Sequence, residues 1–273
     1  MTSLLLVVWF CFASTAWAGL KTDIEFAKVR DVSLTLDAYV PEGPGPFAAV
    51  IVVHGGGFVR GDKQTYVKPL FDPLTQGGFT WFTINYRLAP EYPYPAAVED
   101  VEQAIRYVKA HAKEYRIDPL RLALVGESAG GYLVSMVGAQ NKPATRVAAV
   151  VAFYAPNDFE SLTMERKRVS EGVQGFFGVT GLNEGSFRKL REVSPINHVH
   201  QQTPPFLLIH GTQDELVAYS QSVKMLEKLK GAGVPCELFT VEGAGHGVGG
   251  WEKDPKFQEY KTKMVTWLKQ VLK

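Results

Sequence analysis

Cysteine is scarce in this sequence, with 2 in 273 residues, so a small scaffold held by a disulfide framework is excluded. Charge of one sign is lacking as well. Lys and Arg number 29 against 28 Asp and Glu, a net charge of +1, which leaves no basic footprint for nucleic acid or an anionic membrane and no like-charged disordered tail. Beyond the first residues no stretch approaches 18 consecutive apolar residues, so no membrane partner is expected after residue 18. Metal and nucleotide signatures are missing: there is no H-E-x-x-H, no paired Cys, no His pair at helical spacing and no G-x-x-x-x-G-K-[ST] loop. The chemistry is therefore expected to need no metal and no cofactor. What is present is an ordinary globular composition, 46% hydrophobic and 12% aromatic, enough for one large α/β domain.

The first 18 residues carry no Lys, Arg, Asp or Glu. Leu4 to Ala13 is an unbroken apolar run, long enough for a signal-peptide core and too short to span a bilayer, and Ala16-Trp17-Ala18 supplies an A-x-A cleavage pattern. Residues 1–18 thus read as a secretory leader, although Met1-Thr2-Ser3 lacks the usual basic residue. The expected location is secreted or periplasmic. Cleavage there would remove Cys11 and leave Cys236 alone, on a strand, as a small core hydrophobe.

From Ile24 to Val40 apolar residues alternate, as in an antiparallel opening strand or hairpin. Strand-like runs follow at residues 48–53, 79–85, 120–125, 147–154, 206–210 and 236–241, several of them apolar on both parities, as strands covered on both faces should be. Helical patterns lie between them near 96–111, 128–139, 220–231 and 257–272. The alternation predicts one α/β domain over residues 19–273, with a mostly parallel sheet and helices on both faces. Residues 158–194, polar and dotted with Gly, break the rhythm and read as a small lid insertion over the mouth of a site.

Gly126-Glu127-Ser128-Ala129-Gly130 follows a strand and opens a helix, the context in which G-x-S-x-G presents a nucleophilic Ser on a sharp turn. His54-Gly55-Gly56-Gly57 follows an earlier strand. Its glycines are costly in a plain tight turn, and the N–H groups of Gly56 and Gly57, with that of Ala129, are candidates for an oxyanion hole. A serine hydroxyl needs a base. His246, on the glycine-rich loop after the last strand, is placed better than His54, His111, His198, His200 or His210. The acid that orients it is expected at Asp214, between Ser128 and His246 in chain order, with Asp158 as the rival and helix capping as the bland reading of Asp214.

Together these motifs, with Tyr86-Arg87-Leu88-Ala89-Pro90-Glu91 and Gly211-Thr212-Gln213-Asp214, resemble the α/β-hydrolase fold of the hormone-sensitive-lipase-like esterases. The resemblance implies Ser128 as nucleophile, His246 as base, Asp214 as its acid and Gly56, Gly57 and Ala129 as oxyanion donors; the Tyr86 segment it implies to be structural. Two departures stand out. The helical N-terminal cap of typical members is not evident before His54, which implies a more open site, and Glu127 replaces the commoner Asp before the nucleophile. The compact, exported pattern is similar to the bifunctional feruloyl and acetyl xylan esterases (BD-FAE), which implies release of acetyl or feruloyl groups from plant-wall carbohydrate. Phe58, Tyr132, Phe159, Phe176, Phe177 and Trp251 are aromatic candidates for stacking on a sugar or feruloyl ring, against the bland reading of core or lid packing; Phe58 and above all Trp251 are the substrate-binding candidates. The same triad also serves short-chain carboxylesterases and amide-cleaving enzymes, and the fold can serve as a non-catalytic binding protein.

Overall fold

A computed structural model describes residues 17–273; of the expected leader, residues 1–16 lie outside that range. The architecture follows from strands whose two faces are both apolar. In β3 (Phe47–Val53), Ala49, Ile51 and Val53 join one hydrophobic cluster while Val50 and Val52 join another on the opposite side. In β5 (Ile117–Glu127) the same division places Leu124 on one side and Ala123 and Val125 on the other. A period of two with both parities apolar leaves no solvent face, so helices must cover the sheet twice.

The sheet has eight strands. β1 (Gly19–Val29) and β2 (Val32–Val40) form the expected opening hairpin, followed in the chain by β3, β4 (Thr80–Ile84), β5, β6 (Ala149–Phe153), β7 (Phe206–Gly211) and β8 (Cys236–Val241). Their spatial order is β1-β2-β4-β3-β5-β6-β7-β8, with β1, β2 and β4 antiparallel in turn and every later pair parallel. One face is covered by α2 (Ala96–Ala110), α3 (Ala129–Gln140) and α7 (Ser220–Gly231), the other by α1 (Phe71–Gln76) and α9 (Glu259–Val271). In α2 the expected stripe of Val98, Val101, Ala104, Ile105 and Val108 is buried throughout. This is the mostly parallel α/β sheet that the periodicity predicts. Strand β8 differs in one respect: it lies at the sheet edge and is half-exposed, and Cys236 is a free, partly buried thiol rather than a core residue.

The polar stretch after β6 folds into three short helices, α4 (Phe159–Arg166), α5 (Glu171–Phe177) and α6 (Glu184–Glu192). Each begins on a capping side chain, Asp158, Ser170 or Asn183, that accepts a hydrogen bond from the N–H three residues on. Each also has a Glu in its first turn, where the helix dipole favours negative charge. Their apolar sides carry Phe159, Phe176 and Phe177, which pack with Tyr132 of α3 and with Phe58 into one aromatic cluster with ring centroids 4.3–6.4 Å apart. This cluster joins the lid helices to the loop after β3.

Candidate active site

Parallel strands deliver their following loops to one edge of the sheet, which is where the motif residues meet. Ser128 occupies the junction of β5 and α3 with φ +55° and ψ −118°, a backbone conformation rare for any residue with a Cβ. The turn closes because its neighbours are small. A Cβ on Gly130 would run into the carbonyl oxygens of Val53 and His54, so no other residue lets α3 approach β3 this closely. The Ser128 N–H is tied to the Phe153 carbonyl of β6 at 3.0 Å, which fixes the nucleophile candidate to the neighbouring strand.

The Ser128 hydroxyl lies 2.9 Å from Nε2 of His246, and Nδ1 of His246 lies 2.7 Å from Oδ2 of Asp214. The three residues come from loops after β5, β8 and β7, and Asp214 holds its place by accepting the N–H groups of Leu216 and Val217 through Oδ1, each at 2.8 Å. Asp158, the rival acid, caps α4 instead. A second imidazole, which the sequence did not reveal, also meets the acid: buried His210 has Nε2 3.2 Å from Asp214 Oδ2 and 2.9 Å from the Val217 carbonyl, with Nδ1 2.7 Å from the Ser222 hydroxyl. A carbonyl can only accept, so Nε2 carries the His210 proton and shares it with the carboxylate. Burial alone would push the Asp214 carboxyl up, but the hydrogen bonds from His210 and His246, with the charge of His246, hold it well below the usual carboxylate range. An Asp kept ionised in this way can orient His246 and stabilise its cation.

Across from the histidine, Gly56 and Gly57 turn through φ +105° and +62°. A Cβ on Gly56 would strike the Arg60 carbonyl. The N–H groups of Gly56 and Gly57 donate to no protein acceptor among the described residues, and Ala129 is the first residue of α3, where helix N–H groups have no partner within the helix. All three residues line the cavity beside Ser128, which leaves their N–H groups as candidate donors to an oxyanion there. The Tyr86 segment braces this loop from behind. The Tyr86 hydroxyl donates towards the carbonyls of His54 and Gly55 at 3.1 and 3.2 Å, its ring stacks on His54 at 4.3 Å, and Arg87 grips buried Asp100 with both Nε and Nη2. Burial lowers His54 to about 4, so it stays neutral and serves packing.

Glu127 is the other residue whose role the sequence hid. Its side chain is buried and accepts the Gly55 N–H, filling the space that a side chain at Gly55 would need. Tyr154 accepts the Val248 N–H at 2.9 Å and packs its ring 4.5 Å from that of His246. Glu127 thus holds the turn at Gly55, and Tyr154 holds the loop that carries His246. Burial pushes the Glu127 pKa up to about 7, against the opposing pull of His246, the Gly55 N–H and Tyr154. An unfolded Glu ionises near 4.3, so between about pH 4.5 and 7 unfolding releases a proton and native stability falls as pH rises, by about 3 kcal/mol in all. Glu127→Gln removes this penalty while retaining an acceptor for Gly55. Its melting temperature is expected to gain on the wild type from pH 5 to about pH 7 and to level off above; parallel melting curves against pH would show that the carboxyl is not held protonated.

The aromatic candidates divide. Phe58 and Phe159 line the cavity, though both are almost wholly buried and Phe58 stacks on Phe176 at 4.3 Å. Tyr132, Phe176 and Phe177 are core. Trp251 corrects the sequence expectation of a substrate-stacking ring. Residues Val248–Trp251 form a helical turn that carries the indole inwards, where it is 1% exposed, packs on Tyr154 and Tyr260 at 5.3 and 5.2 Å, and donates Nε1–H to the Gly245 carbonyl at 2.8 Å. Its buried ring supports the loop that carries His246. The cavity itself measures about 370 Å³, with the lid helices α4 and α5 forming one wall through Phe159, Leu162, Arg166 and Val173.

Known proteins resemble this chain in sequence and in fold. Esterase LipC of Mycobacterium tuberculosis is 30% identical over 221 residues, which is 76% of this chain and 54% of the relative. The acetylxylan esterase of Xylanibacter ruminicola is 28% identical over 239 residues, 85% of this chain and 47% of the relative. The chain thus spans about half the length of these relatives. Among solved structures, the acetyl ester-xyloside bifunctional hydrolase of Caldicellulosiruptor lactoaceticus superposes with a TM-score of 0.80 at 24% identity, covering 95% of this chain and 98% of its own. The propionate-bound esterase Est2 of Thermogutta terrifontis gives 0.75 at 26% identity, covering 93% and 94%. The fold is that of the α/β-hydrolases. The family model BD-FAE matches residues 36–229, a span that takes in Gly56, Gly57, Ser128 and Asp214, and with most of the described sheet inside it the chain belongs to the BD-FAE family.

Proposed function

We propose that the protein is a serine carboxylic-ester hydrolase working through an acyl-enzyme. The observation that carries this reading is the continuous relay from Ser128 through His246 to Asp214, at 2.9 and 2.7 Å, beside the cavity that Gly56, Gly57 and Ala129 line. Ser128 Oγ attacks the ester carbonyl as its proton passes to His246 Nε2, and the carbonyl oxygen takes up negative charge against Gly56, Gly57 and Ala129. The imidazolium, held by Asp214, returns the proton to the departing alcohol. Water then repeats the sequence on the acyl-enzyme and frees Ser128 with release of the acid. Every step uses side chains and backbone of this chain.

The proposed substrate is acylated plant-wall carbohydrate, with acetyl or feruloyl as the acyl group. Membership of the BD-FAE family supports it, as does the relative named as an acetylxylan esterase. Among the described residues the chain before β3 is a β-hairpin rather than a helical cap, which suits an ester carried on a bulky polymer. The leader pattern in residues 1–18 supports secretion or periplasmic export, where such a polymer would be met. Incubation of the protein with acetylated, feruloylated arabinoxylan, followed by chromatography of acetate and ferulate, tests the assignment. Release of either acid is the expected result. Rapid turnover of short aryl esters with neither acid released would keep the hydrolase and remove the polysaccharide.

A further inference from the structure

Two guanidinium groups line the catalytic cavity, Arg166 at the end of α4 and Arg60 beyond the oxyanion turn. The same cavity is lined by apolar side chains, among them Pro156, Phe159, Leu162 and Leu216. Neither arginine has an ion pair or a side-chain hydrogen bond among the described residues, whereas others in the chain are satisfied: Arg191 bridges Glu160 and Glu184, and Arg87 grips Asp100. Arg166 is partly buried, and burial lowers its guanidinium below the ordinary value, yet a guanidinium remains charged at any pH the protein would meet.

The two carboxylates whose charge reaches Arg166, Asp214 and Glu165, are both paired with other groups. Asp214 receives two imidazoles and two backbone N–H groups. Glu165 pairs with Lys224 at 2.8 Å, and the neighbouring Arg168 only adds positive charge. Glu127, the acidic side chain in the cavity wall, accepts the Gly55 N–H. Asp214 and Glu165 act on Arg166 only through their charge, neither being paired with it, and a half-buried guanidinium without a hydrogen-bonded partner is costly, a cost that an anionic ligand would relieve on binding. A carboxylate matches the planar fork of a guanidinium with two parallel hydrogen bonds.

We infer that the catalytic cavity selects esters that also carry a carboxylate, and that Arg166 is the counter-charge that recognises it. The inference rests on the ester-hydrolase reading for its readout by turnover. The carboxylate can belong to the acyl group, as in a dicarboxylic monoester, or to the alcohol, as in an acidic phenol or a uronic acid; the chemistry at Arg166 is the same. Two substrate pairs separate the sources: ethyl hydrogen succinate against ethyl butyrate for the acyl side, and 4-acetoxybenzoate against 4-acetoxybenzamide for the alcohol side.

With each rate divided by that of hydroxide, kcat/KM of the wild type is expected to favour the carboxylate member of one pair by roughly tenfold or more, the usual worth of a charge-assisted hydrogen bond. Arg166→Gln should bring that ratio to about one, and Arg166→Lys should restore part of it. The ratio is taken within each variant, so a general loss of activity, or a role for Arg166 in merely steadying Asp214, leaves it unmoved. Ratios near or below one for both pairs in the wild type, or a ratio unchanged in Arg166→Gln, would overturn the inference. If none of the four esters is turned over, the hydrolase reading fails and calorimetric titration with 4-acetamidobenzoate decides the anion site alone. Binding weakened at least tenfold by Arg166→Gln supports it, and equal or absent binding sinks it.

Discussion

Ser128→Ala is expected to cost roughly 10⁶-fold in kcat against a short aryl ester, because nucleophile and base act as a unit and neither has a substitute in the cavity. What survives should be the contribution of the oxyanion donors, which alone leave about 10³–10⁴-fold over the uncatalysed reaction. Steady-state kinetics, with a fluorophosphonate titration to count active centres, checks both the loss and the absence of labelling. A variant that kept more than a hundredth of the wild-type rate would place the nucleophile elsewhere. Ser128→Gly makes a companion prediction about the backbone. At φ +55° and ψ −118° any residue with a Cβ is strained, and alanine keeps that strain. Glycine releases it, at about 1–3 kcal/mol, against the smaller entropy that glycine loses on folding. Both variants should be equally inactive, with the glycine variant more stable by about 1 kcal/mol in denaturant titrations.

Much of this was legible in the sequence because the same residues carry both a local rule and the global fold. The doubly apolar parity of Ala48 to Val53 requires helices on both faces, and the structure provides them. Gly126 and Gly130 bracket Ser128 because a Cβ on the first would strike the backbone of α3 and one on the second the end of β3, a constraint that shows as a five-residue motif. Other features depend on contacts that no spacing encodes. His210 ends β7 in the sequence and is indistinguishable from a core histidine until Asp214 folds back 3.2 Å from it. Trp251 stands on a glycine-rich loop, a signal of exposure, yet the helical turn of Val248–Trp251 buries it. The short lid helices were obscured by their polarity, although Asp158, Ser170 and Asn183, each followed within two residues by Glu, carried a capping signal that could have placed their starts. The unpaired state of Arg166 is likewise a property of the folded cavity: Glu165, adjacent in sequence, points to Lys224 instead.

The acid of the triad is where sequence order left a rival, and Asp214→Asn resolves it with an effect second only to loss of the nucleophile. Oδ1 of Asp214 accepts two backbone N–H groups and Oδ2 faces two imidazole nitrogens. The amide keeps its oxygen where Leu216 and Val217 demand an acceptor, so its NH₂ must turn towards His246 and His210. Two donors cannot share a hydrogen bond, and His246 responds by moving its proton from Nδ1 to Nε2. The nitrogen that faces Ser128 at 2.9 Å is then a donor and can no longer take the hydroxyl proton. The same inversion in a Ser-His-Asp enzyme lowers kcat by about 10⁴-fold with little change in structure, and a loss of that order is expected here. The rate of fluorophosphonate labelling should fall with it, since both reactions need Ser128 deprotonated. Asp158→Asn, by contrast, removes only part of a cap on α4 and should leave kcat within a few-fold of the wild type. A larger loss in Asp158→Asn than in Asp214→Asn would return the assignment to the rival, and equal losses would remove it from Asp214, whereas the expected gap of three orders of magnitude ties the histidine's proton to the loop after β7.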